Sequence, residues 1–289
     1  MQYGGAMPPT TPSSTPGEET VSRRFASGRQ FEIRRGDALA VVTELAAGLR
    51  LFSRDGVQLT ESYGDAQLPP GATGITLAPW ANRIEDGIWY LDGKKQQLDI
   101  TEVSRNNASH GLLRNSSYAL VAEDEFSVTL EAVIFPQHGY PFLARHQVHY
   151  EIDAGLALRV SQSFINDSAA PAPFVLGAHP YLRVGDVPPE EMVLTVHAGT
   201  RLVADERLIP RSSVPVDGDF DFGAAGVWVA WMSMWRSRIW GSTAASPAKR
   251  CRRRMAEASP WSRTKAAPTS TSSSRILFRA ARKRWRLSP

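Results

Sequence analysis

The chain has 289 residues, with 33 Lys+Arg, 29 Asp+Glu and one cysteine, Cys251. That length can bury a sizeable core, one cysteine excludes a disulfide framework, and no apolar run approaches the roughly 18–20 residues of a membrane-spanning helix. The net charge of +4 hides an asymmetry: residues 223–289 hold 15 Lys/Arg against one acid, Glu257 (+14), whereas residues 1–222 hold 18 against 28 (−10).

Residues 1–22, with Pro8-Pro9-Thr10-Thr11-Pro12 and Gly17-Glu18-Glu19, have neither the basic start nor the apolar stretch of a secretory signal. They read as a disordered leader, and the cytoplasm is the expected location. From residue 23 the pattern becomes short, β-like and dense with turns. Phe31-Glu32-Ile33-Arg34 and Leu39 to Leu45 alternate, and Ala47 to Phe52 ends at Asp55-Gly56. Ile88 to Leu91 and Gln96 to Leu98 flank Asp92-Gly93, a hairpin signal because glycine tolerates positive φ. Further strands are expected at Ser127–Phe135, Ala144–Ile152, Ala157–Asn166 and Met192–Ala198, with Asp153-Ala154-Gly155 as a turn. No window carries a long 3.6-residue apolar stripe, so the expected fold class is all-β, an antiparallel sandwich or barrel over residues 23–222.

Three clusters place ionisable groups between Gly or Pro residues at the ends of these strands, where a β scaffold presents site residues. They are Ala78-Pro79-Trp80-Ala81-Asn82-Arg83-Ile84 followed by Asp86-Gly87, Ser109-His110-Gly111-Leu112, and Pro173-Phe174-Val175-Leu176-Gly177-Ala178-His179-Pro180-Tyr181. Singly, each is more often a surface pair or a satisfied histidine than a site. His138, His146, His149 and His197 have no such setting and read as structural. In this order, joined by Gly139-Tyr140-Pro141-Phe142 and Asn166-Asp167-Ser168, the clusters resemble the aldose 1-epimerase (galactose mutarotase-like) family over Arg24 to Phe222.

The resemblance implies a large antiparallel β-sandwich, the galactose mutarotase-like supersandwich. It implies interconversion of the α and β anomers of an aldohexose such as glucose or galactose. That reaction opens a cyclic hemiacetal by taking the C1 hydroxyl proton and protonating the ring oxygen. By resemblance His179 is the acid, a role suited to a group with an ordinary pKa of about 6.5. His110 would donate a hydrogen bond near the ring oxygen, and Asn82 and Arg83 would bind sugar hydroxyls. No cofactor or metal is expected, and the partner is a small sugar rather than a membrane or a specific nucleic acid. The other readings are a hexose-6-phosphate 1-epimerase, a non-catalytic carbohydrate-binding protein and, least favoured, a nucleic-acid binder using the basic tail.

The family also implies a late Glu-Pro carboxylate base and an earlier Asp, and this chain departs from both. Residues 223–289 contain no Asp, Asn, Gln, His or Tyr, but six of the eight tryptophans. Trp and Met each have one codon, so Ala230-Trp231-Met232-Ser233-Met234-Trp235 nearly fixes its own DNA. Starting each codon one base earlier turns Trp-Met into Asp and Met-Trp into Val. The same shift lets Trp285 to Pro289 read Val-Ala-Phe-Glu-Pro. A frame change near Phe222 is therefore expected, with the C-terminal strands missing or disordered, the base absent and activity impaired.

Overall fold

Alternation of apolar and polar side chains, one face inward and one outward, builds the molecule from strands. The structure is a computed structural model that describes residues 25–222, 226–227 and 272–277. A first antiparallel sheet runs in chain order through β1 (Gln30–Arg35), β2 (Ala38–Thr43), β3 (Leu49–Arg54) and β4 (Val57–Gln58). Five short strands follow: β5 (Thr76–Leu77), β6 (Arg83–Glu85), β7 (Ile88–Leu91), β8 (Lys94–Gln97) and β9 (Asn107–Ser109). The second large sheet contains β10 (Ala119–Glu123), β11 (Ser127–Ile134), β12 (Ala144–Ile152) and β13 (Leu158–Asn166). The remaining strands are β14 (Gly177–Ala178), β15 (Val193–Leu194), β16 (Thr200–Ala204), β17 (Pro210–Pro215), β18 (Gly226–Val227) and β19 (Ser272–Leu277).

β1 and β2 lie against β11 and β12, so the two sheets face each other. Phe31 and Ile33 of β1 and Ala38, Ala40 and Val42 of β2 fill the space between them. They meet Val128, Leu130 and Ile134 of β11, and Val148, Tyr150 and Ile152 of β12. Every second residue of β12 is buried, the pattern of a strand with one face in a core. No described helix is long and apolar enough to cross a membrane.

The strands expected from the sequence form, with one shortened. Only Val193–Leu194 of the stretch 192–198 is paired. Beyond Phe222, where strands were expected to be missing or disordered, β18 pairs with β15, and β19 runs antiparallel to β13 from Phe164↔Ser272 to Arg159↔Leu277. Ladder pairing is made by backbone groups, which the 272–277 segment can offer whatever its side chains. The 1–22 leader, the rest of the 223–289 segment, Glu257 and the late base motif lie outside the described residues.

The β16–β17 hairpin is latched to the front of the molecule by Arg207. Its guanidinium donates to the Arg105 and Asn106 carbonyls, Asn107 Oδ1 and the carboxylates of Glu85 and Asp86, at 2.6–3.3 Å.

Candidate active site

Close packing of two loops brings the site together. β5 leads through a cis Ala78–Pro79 bond and Trp80 to Asn82, and β6 begins at Arg83. β6 pairs with β9 so that Arg83 faces Ser109, and the His110 amide donates to the Asn82 carbonyl at 2.8 Å. Asn82 (φ 60°) and His110 (φ 66°) both occupy the left-handed region. Asparagine tolerates that conformation, but a histidine held there is uncommon, and such backbone strain concentrates at functional sites. Gly111 (φ 78°) allows the close approach: a Cβ there would lie 2.0 Å from the Ala78 carbonyl oxygen.

β14 delivers the third cluster by pairing with β5, Gly177 opposite Leu77 and Ala178 opposite Thr76. His179 follows, its amide donating to the Ile75 carbonyl and its carbonyl accepting from the Gly74 amide, at 2.9 and 2.8 Å. The His179 ring stands edge-on to His110 with centroids 5.4 Å apart, and stacks on Tyr181 at 5.1 Å. Thus Asn82, Arg83, His110 and His179, from three separate sequence clusters, meet in one place.

The electrostatics here refine the expectation for the acid. Burial pushes the His110 ring down to about 3, helped by the charges of His179, Arg114 and Arg83 and opposed by Glu102. Burial also lowers His179, with its own backbone raising it and Arg83 lowering it further. Both rings are therefore neutral at pH 7. His179 must first take up a proton, which an opposing carboxylate would favour, before it serves as an imidazolium acid. His110 Nδ1 is buried with no hydrogen-bond partner among the described residues, an unfilled polar position of the kind a ligand hydroxyl completes.

Two further residues bear on the site, and neither lies in a sequence cluster. Glu102 receives Arg83 Nε at 2.6 Å and Nη2 at 2.9 Å, a bidentate pair, while Arg83 Nη1 donates to Asn82 Oδ1 at 2.8 Å. Burial works to raise the Glu102 carboxyl, but the bonds and charge of Arg83, with Asn107 and Arg105, hold it down at about 2. It is a fixed anion and a poor proton acceptor. Arg114, four residues past His110, has a buried Nε without a partner. The other arginines between residues 25 and 222 each have a carboxylate or an aromatic face beside them; Arg114 has neither among the described residues. The described residues contain no group of three or more His, Cys, Asp or Glu side chains able to hold a metal.

Known proteins are similar to this chain in sequence and fold. The sequence model of the family described as aldose 1-epimerase matches residues 55–228. The uncharacterized protein YihR of Escherichia coli K12 is 31% identical over 197 residues, covering 68% of this chain and 64% of that protein. The GalM/aldose epimerase homologue of C. elegans superposes with a TM-score of 0.63 at 20% identity, covering 69% of this chain and 65% of that one. Galactose 1-epimerase from Lactobacillus acidophilus NCFM gives 0.59 at 21% identity, covering 71% and 65%. The chain thus spans about two thirds of the length of these relatives. The match of 55–228 takes in all three site clusters, and this chain belongs to the aldose 1-epimerase family.

Proposed function

We propose that the site binds an aldohexose and interconverts its anomers by acid/base ring opening, as an isomerase. The observation that supports it most is the buried pair of neutral rings, His110 and His179, 5.4 Å apart beside an Arg83 held rigid by Glu102. His179, in the fraction that has taken up a proton, gives it to the ring oxygen and returns to the neutral ring, His110 steadies the charge that develops there, and Asn82 and Arg83 orient the hydroxyls. The step that takes the C1 proton needs a carboxylate, and Glu102 is committed to Arg83. This chain is therefore proposed to be impaired, and a one-base frame change near Phe222 is the proposed reason; the family match ending at 228 is consistent with that.

Polarimetry on freshly dissolved α-glucose or α-galactose tests the reading directly. The chain as written should run about 10²–10⁴-fold slower than a version with the frame restored, the usual cost of losing one acid–base partner. Equal rates would contradict the impairment, and no rate in either would leave a sugar-binding protein without catalysis.

Beside His110, Arg114, whose buried Nε has no partner while its Nη1 donates to the Ser109 carbonyl at 3.5 Å, favours a second reading, a sugar carrying an anionic substituent such as a hexose 6-phosphate. Comparing glucose with glucose 6-phosphate by NMR titration, in the wild-type chain and in Arg114→Gln, separates the two. A preference for the phosphate that Arg114→Gln abolishes supports the anionic substrate. No preference removes it.

A further inference from the structure

A run of buried polar side chains crosses the core and ends on β14, the strand just before His179. Tyr118, His146 and Gln162 are all nearly inaccessible, at 1%, 0% and 2% exposure. The Tyr118 hydroxyl and His146 Nδ1 are 2.7 Å apart, and His146 Nε2 and Gln162 Oε1 are 3.0 Å apart. Gln162 Nε2 donates to the Gly177 carbonyl at 3.1 Å. Burial favours the neutral ring of His146, and with a neutral ring one proton arrangement satisfies every group. The Gln162 amide donates to Gly177, so its oxygen accepts, His146 Nε2 carries the proton, and Nδ1 accepts from the Tyr118 hydroxyl. The chain then has one direction, from Tyr118 to Gly177.

Apolar side chains fill the same face of β12 on either side, at Ala144, Val148 and Ile152, with Tyr150 donating its hydroxyl proton to the Ala47 carbonyl. A hydrophobic trio would pack there without stripping water from three polar groups. What the polar trio adds is directional attachment, and its two ends mark where. The Tyr118 hydroxyl lies near Thr76 of β5, whose own hydroxyl donates to the Ala46 carbonyl at 2.6 Å, and Gln162 Nε2 holds the Gly177 carbonyl of β14. β5 and β14 form a ladder of two residue pairs, Leu77–Gly177 and Thr76–Ala178, continued by backbone bonds from Val175 to Pro79, from His179 to Ile75 and from Gly74 to His179, with no side-chain tie of its own to the large sheet but Gln162 among the described residues. Asn82 follows β5 in the chain and His179 follows β14 directly.

We infer that the Tyr118–His146–Gln162 chain is a positioning device that ties the short β5–β14 ladder to the large sheet and so fixes where His179 stands against His110. These are positioning residues; none touches the reacting atoms. The inference builds on the proposed role of His179 but is tested without any sugar, so failure of one is distinguishable from failure of the other.

The test is hydrogen exchange and histidine NMR on the full chain carrying Gln162→Leu, which keeps volume and loses both hydrogen bonds. The His179 amide should exchange about tenfold faster relative to amides in the β11–β12 ladder, because local opening tracks local restraint. The titration of the His179 ring should move up towards that of an ordinary histidine. Tyr118→Phe removes only the far end and should produce the same local pattern with a smaller amplitude, about threefold. It decides the matter if Gln162→Leu does not fold. A uniform rise in exchange across both sheets, or an unmoved His179 ring, would reduce the chain to core filling and overturn the inference.

Discussion

Glu102 determines what Arg83 can do. An unpaired guanidinium on a loop samples many rotamers, whereas the fork on Glu102, with each partner about one-sixth exposed, holds its plane in one orientation. Glu102→Gln keeps the shape and removes the charge. It should cost ~1–3 kcal/mol in urea denaturation, because Arg83 is left partly buried without its anion. Aldohexose binding should weaken about tenfold, equivalent to ~1.4 kcal/mol of lost orientation, as read by calorimetric titration. Unchanged affinity would place Arg83 outside the sugar contacts.

At the scale of elements, β12 carries the residue that makes the fold sensitive to acid. Burial lowers His146 to about 4, with the Gln162 hydrogen bond raising it. An unfolded chain binds that proton at about 6.5, so below this pH protons favour the unfolded state. Its contribution is complete above pH 6.5 and is lost progressively as the pH falls towards 4, amounting to about 3 kcal/mol for one group. Urea midpoints measured from pH 7 to 4 should fall, and His146→Gln should flatten the slope. An unchanged slope would mean that His146 is charged in the fold. The elements readable in the sequence were those with one dry face or a glycine-fixed turn. β12 keeps its expected bounds, and Asp92 (φ 48°) and Gly93 (φ 78°) make the turn between β7 and β8. β10 was invisible because all five residues are exposed and show no alternation. β17 begins at Pro210 and is polar, so propensity spoke against it. The site clusters were legible because Gly and Pro frame them. Glu102 and Arg114 have no such frame, and their parts follow only from packing.

For the whole molecule, the edge of β13 decides solubility. β19 covers it from Arg159 to Phe164, so those backbone groups are paired within the chain. A chain ended at Phe222 would bare that edge and remove the +14 segment that offsets a body of −10. An open edge offers a template for another copy. Such a truncation should form larger species in light scattering than the full chain at equal concentration. A monomeric truncation would show that β13 needs no cover.

The latch made by Arg207 has a consequence for how such a sequence can drift. One planar group satisfies two backbone carbonyls, an amide oxygen and two carboxylates drawn from two loops. Lysine brings one compact charge with three donors and cannot span that set. Asn107, which Arg207 touches, also donates to Glu102 at 3.3 Å, so the latch ends two contacts from Arg83. A position far from the candidate site in sequence is thereby closed to ordinary exchange of one basic residue for another, while its exposed neighbour Glu206 remains open to substitution.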